Sequence, residues 1–121
     1  MKVGISGPIL VSELKKFLYS EHYRRGRNIG LGGSQVNQIC IALLERGYDL
    51  TVFSLAEEVQ EEVVLDGPHL RVCIGPYRSS GWARALDFFH TERRYLKNAV
   101  QREAPDLVHA HWTYEFALGP M

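Results

Sequence analysis

The sequence has little cysteine, no excess of either charge and no long apolar run, and each shortage removes a class of protein. Its two cysteines, Cys40 and Cys73, lie far apart and form no CxxC pair. A disulfide framework or a thiolate zinc site needs more cysteines or a tighter spacing. Cys40 sits between Ile39 and Ile41, and Cys73 between Val72 and Ile74, so both read as buried free thiols. Fourteen basic residues balance fourteen acidic ones, for a formal net charge of zero. No global field therefore draws in nucleic acid, although a local basic patch stays compatible with this balance. No apolar stretch approaches the roughly 18 residues that would span a bilayer. Met1-Lys2-Val3 passes straight into a strand pattern without a charged-then-apolar leader. The chain reads as cytoplasmic, with room for peripheral contact at a membrane surface. It has no internal repeat, no low-complexity segment and no GK[ST] triplet, which excludes a P-loop.

What is present fits one folded domain. The chain has 121 residues, 45% hydrophobic and 23% charged, enough apolar material for a modest core and too much for intrinsic disorder. Lys2 to Ser6 reads as a first strand, broken by Gly7-Pro8. Residues 12–19 read as a short helix with Ser12 as its N-cap. The segment EHYRRGRNIGLGG reads as a long loop, and Ser34 to Arg46 as the clearest helix. There Val36, Ile39, Cys40 and Leu43 recur at helical spacing, and Gly47 closes the helix. Asp49 to Leu55 is strand-like, rich in β-branched and aromatic residues. Val63 to Leu65 and Leu70 to Ile74 flank Asp66-Gly67 as a short hairpin or a strand with an extension, with Pro68 weakening the first arm. Residues 83–102 predict a long helix with Leu86, Phe89, Leu96 and Val100 inward, interrupted by Arg93 and stopped by Pro105. Leu107 to Ala110 is a last short strand, and residues 113–121 read as the start of another helix. Short apolar strands alternating with helices predict an α/β fold: a Rossmann-like parallel sheet with helices on both faces.

Gly30-Leu31-Gly32-Gly33-Ser34 runs directly into the best helix. The first N–H groups of a helix lack internal partners and carry the positive end of its dipole. Glycines let the backbone approach an anion closely, so Gly32, Gly33 and Ser34 are candidates for holding a phosphate or diphosphate. The alternative is a turn that needs glycine only for positive φ. A dinucleotide fingerprint fits poorly, because its glycines should follow the first strand directly. Upstream, Arg27 with Arg24, Arg25 and Tyr23 could clamp an anionic group, although charged runs are more often solvated surface.

His109-Ala110-His111-Trp112 falls at the end of the last strand, where parallel α/β folds bind ligands. Two histidines at i and i+2 suggest a metal, but no third ligand stands at suitable spacing, so no metal site is expected. His109 reads as structural. His111 can exchange a hydrogen bond with a sugar hydroxyl or phosphate near neutral pH, Trp112 offers a stacking face, and Glu115 either orients His111 or offsets a helix dipole. Plain loop packing is the alternative for His111 and Trp112.

The order and separation of GGSQV, IALLERGYDLTVFS and APDLVHAH resemble glycosyltransferase family 4. The resemblance extends over most of the chain. It implies the acceptor-side, N-terminal Rossmann-like domain of a GT-B enzyme. Gly32 and Gly33 would then lie near the donor diphosphate and the acceptor, and His111 would contact the reacting sugar. It also implies a retaining reaction with a nucleotide-sugar donor as co-substrate, a glycan or lipid-linked acceptor, and no cofactor or metal. On this basis residues 1–121 read as a single partial domain, with the donor-binding C-terminal domain absent or supplied by a separate chain, and with no sugar transfer expected of the isolated chain. Two other readings stay open: a non-catalytic scaffold half that docks a separate donor domain, and a small nucleotide-binding module.

Overall fold

The computed structural model describes residues 2–26, 34–56, 59–77 and 90–110. β1 (Lys2–Ser6) is followed by a 3-10 helix (Val11–Phe17), α1 (Ser20–Gly26), α2 (Ser34–Glu45), β2 (Asp49–Ala56), β3 (Val63–Asp66), β4 (Leu70–Pro76), α3 (His90–Glu103) and β5 (Leu107–Ala110). The five strands form one sheet in the order β3-β4-β2-β1-β5. β1 pairs in parallel with both β2 and β5, and β2 in parallel with β4. β3 alone runs antiparallel, folded back on β4 with Val63 opposite Ile74 and Asp66 opposite Arg71.

Every β2 residue from Leu50 to Ala56 is buried, because both faces of the sheet are covered. On one face Val3, Ile5, Leu50, Val52, Leu70 and Val72 pack with Val36, Cys40 and Leu44 of α2 and with Val11 and Leu14 of the 3-10 helix. On the other, Phe53, Leu55 and Cys73 pack with Leu96 and Ala99 of α3. The Pro105 ring lies against Gly4 closely enough that a Cβ there would meet its Cγ at 3.0 Å. A side chain on Gly4 would therefore hold the α3–β5 turn away from the sheet.

Several elements depart from the sequence reading for identifiable reasons. The first short helix is 3-10, not a Ser12-capped helix: it is entered from Leu10, without a side-chain cap, and Ser12 is an exposed residue within it. Val11, Leu14 and Phe17 recur every three residues, matching the three-residue turn of a 3-10 helix. The first part of the expected loop is helical, as α1. So short a helix needs tertiary support. Tyr23 packs against the main core, the Tyr23 N–H donates to the Tyr19 carbonyl at 2.9 Å, and the Asp66 N–H donates to His22 Nδ1 at 2.8 Å. In α2 the inward line is Val36, Cys40 and Leu44, with Ile39 and Leu43 half-buried. Gly47 follows at φ +87°, as expected of a helix-ending glycine. In α3 the buried line is Glu92, Leu96 and Ala99, with Arg93 on its shoulder and Val100 half-buried. Leu86 and Phe89 lie outside the described residues.

Candidate functional site

The strand order places a switch point beside β1. From β1 the chain moves outward to β2 and β4, then returns to lay β5 on the opposite side of β1. In open α/β sheets the crevice beyond the carboxyl ends at such a point is the usual ligand site. Here those ends are level, since Ser6 pairs with Ala110 and Ile5 with His109. α2 joins two parallel strands and therefore runs against them, which brings its amino end to this same edge.

The chain leaving β1 is held tightly. The Gly7 N–H donates to the Phe53 carbonyl at 3.1 Å, extending the ladder with β2 by one rung. Ile9 is buried. At Leu10 the fully buried side chain of Asn37, in the first turn of α2, takes both backbone groups. Asn37 Oδ1 accepts the Leu10 N–H at 2.9 Å, and Asn37 Nδ2 donates to the Leu10 carbonyl at 2.7 Å. Sequence reasoning missed Asn37. Its signal was position: three residues before Cys40 and seven before Leu44, it falls on the apolar line of the helix.

Ser54 is a second polar residue at this edge. It is 1% exposed, and its Oγ has no hydrogen-bond partner among the described residues. It alternates in phase with Val52 and Ala56, so it faces the side of the sheet that α2 covers. Burying a hydroxyl without a partner costs about 1–3 kcal/mol.

The residues singled out from sequence divide as follows. α2 begins at Ser34, directly after the glycines, but the Ser34 side chain, Gly32, Gly33 and Arg27 lie outside the described residues. Arg24 is exposed on α1. His109 is exposed on β5, in register with Ile5 of β1. β5 ends at Ala110, and His111, Trp112 and Glu115 lie outside the described residues. Among the described residues no group of three His, Cys, Asp or Glu side chains is placed to hold a metal ion, and no helix is long and apolar enough to cross a membrane.

Both cysteines are free and buried. Burial pushes each thiol up to about 12, so neither is a ready nucleophile.

The opposite edge of the sheet carries a cluster of charged residues already paired with one another. A depression of about 620 Å³ there is lined by Lys2, Asp49, Asp66, His69, Arg71 and Glu103 among others. Arg71 holds Asp66 at 2.8 Å and Glu103 at 3.2 Å, His69 holds Asp49 at 3.0 Å, and Lys2 Nζ donates to the Glu103 carbonyl at 2.7 Å. A hollow whose charges pair with one another, at the amino ends of the strands, is a poor receiver of an anion. Its size does not outweigh the position of the switch point.

No curated protein and no solved structure matches the chain. The family described as Glycosyltransferase Family 4 matches residues 32–120. The matched stretch opens at Gly32, on the glycine run before α2, takes in β2 to β5, and continues through His111 and Trp112. With well over half of its length matched, and with a mostly parallel Rossmann-like sheet, the chain belongs to glycosyltransferase family 4.

Proposed function

We propose that this domain forms the acceptor-side half of a retaining, nucleotide-sugar-dependent glycosyltransferase. The observation that carries the reading is the junction at the carboxyl edge, where the switch point between β1 and β5 and the amino end of α2 meet. Helix N–H groups following Gly32, Gly33 and Ser34 would receive the donor diphosphate. Arg27 would add charge from the preceding segment. His111, one residue past β5, would exchange a hydrogen bond with the reacting sugar, and Trp112 would stack on it. The reaction would need no cofactor beyond the nucleotide-sugar co-substrate. The acceptor would be a glycan or a lipid-linked sugar, and the work would be done in the cytoplasm, with peripheral membrane contact where the acceptor is a lipid. A donor-binding partner, as a further domain or a separate chain, would complete the cleft, since transfer requires both substrates in one geometry.

The test is sugar transfer by the complete enzyme with Gly33→Val and His111→Ala combined. Loss of transfer in a protein that still folds is expected. Transfer at the wild-type rate would remove these residues from the site.

A second reading, a non-catalytic half that docks a separate donor domain, draws on Leu107, an apolar residue left 57% exposed on β5. A stable complex with such a domain, without transfer, would favour it.

A further inference from the structure

Asn37 joins two pieces of chain that bound the carboxyl edge from different sides. One is the segment that leaves β1, and the other is the first turn of α2. Leu10 contributes no β1 ladder bond, yet both of its backbone groups are taken by one carboxamide, at 2.9 and 2.7 Å. The same Leu10 carbonyl accepts the Glu13 N–H at 3.2 Å and so opens the 3-10 helix. A carboxamide suits this task because it presents a donor and an acceptor side by side without charge.

A separate observation points to a ligand at this edge. The buried Ser54 Oγ faces the α2 side of the sheet near the carboxyl end of β2, with no partner among the described residues. Folded proteins rarely leave such a group unsatisfied unless a bound molecule or ordered water completes it.

We propose that Asn37 is a positioning residue for a diphosphate-bearing ligand. By locking Leu10 to the start of α2, it fixes the spacing between the β1 exit and the helix N–H groups that receive the phosphate oxygens. The inference rests on the nucleotide-sugar reading and deepens it. Asn37 touches no reacting atom and acts through the backbone that it holds.

The experiment uses this chain and inorganic pyrophosphate, followed by calorimetry and by amide resonances. In the wild-type chain, pyrophosphate is expected to bind and to shift the Leu10 backbone and Asn37 side-chain amide signals. Asn37→Asp keeps the acceptor and removes the donor, and Asn37→Ala removes both. At a temperature where these variants are folded, their affinity is expected to fall about tenfold or more, as loss of buried hydrogen bonds that hold a site would give. A purely structural role would lower the melting temperature and leave the affinity of the folded protein unchanged, and that result overturns the proposal. So do unmoved Leu10 and Asn37 signals in saturated wild-type protein, a measurement independent of variant folding. Absence of any wild-type binding is a different outcome: it removes the diphosphate reading of the edge, and the role of Asn37 with it.

Discussion

The ring of Tyr95 lies flat enough on Gly75 that a Cβ at Gly75 would overlap the ring carbons. This contact seats α3 on β4, and it aims the Tyr95 hydroxyl at Glu62 Oε2, to which it donates at 2.7 Å. Gly75→Ala is expected to cost roughly 1–3 kcal/mol, the usual penalty for overfilling a packed contact. Urea unfolding checks it; a variant as stable as the parent would mean that the ring moves aside freely.

Glu62 also receives a two-pronged contact from Arg102, at 2.7 and 2.9 Å. Burial alone would raise its pKa. Hydrogen bonds from Arg102 and Tyr95, and the nearby charges of Arg102 and Arg71, outweigh burial and hold it below the ordinary 4.5. A carboxylate depressed in the fold stabilises fully above its unfolded value and loses that contribution as pH falls through the folded value. Stability is therefore expected to fall with acid below 4.5. Glu62→Gln should flatten part of that fall and cost stability near neutrality. Denaturation midpoints of both proteins across the acid range measure it, and identical pH profiles would exclude Glu62 as a source.

Cys40 and Cys73 are both buried, with thiols pushed up to about 12. Neither should react with a thiol reagent in the native protein at neutral pH, and both should react once it is unfolded. Mass spectrometry after timed labelling reads this directly. Fast native labelling at either site would mean local opening of its core.

Two chain reversals offer opposite tests of backbone strain. Gly47 follows α2 at φ +87° with nothing within 4 Å of a built Cβ, so Gly47→Ala is expected to cost about 1 kcal/mol from the backbone alone. Ala104 follows α3 at φ +47° without glycine's freedom. Ala104→Gly should stabilise by up to about 1 kcal/mol, the relief of strain exceeding the added unfolded-state entropy. Thermal unfolding of the pair should give shifts of opposite sign.

Ser54 provides a stability–binding contrast. Removing a buried hydroxyl that has no partner among the described residues should raise stability by about 1 kcal/mol. Ser54→Ala is thus expected to melt higher than the parent and to bind pyrophosphate more weakly. A variant that melts lower would show that the hydroxyl is satisfied in solution.

The parallel sheet was legible because its strands are short, apolar and separated by helical patterns; β2, buried on both faces, is the clearest case. The hairpin was legible from Asp66-Gly67 between two apolar runs. α1 was not, because its support comes from Tyr23, His22 and Asp66, contacts that periodicity does not record. Near the candidate site, the start of α2 at Ser34 and the short strand β5 could be read from local order. Asn37 and Ser54 could not, since a buried polar residue reveals its role only through what lies opposite. For Asn37 that is Leu10, 27 residues away.

The place of β1 between β2 and β5 also sets an order of assembly. Its partner on one side begins at Asp49, but on the other side Val3 waits for Leu107, and the Lys2 N–H for the Asp106 carboxylate. Of these five strands the earliest in the chain is thus enclosed on both sides only late, because its second ladder closes a loop of about one hundred residues. Such long-range closure is entropically costly and slow. Until it forms, one rim of a largely buried strand stays available to other chains, so a protein of this topology has reason to remain shielded until synthesis has passed β5.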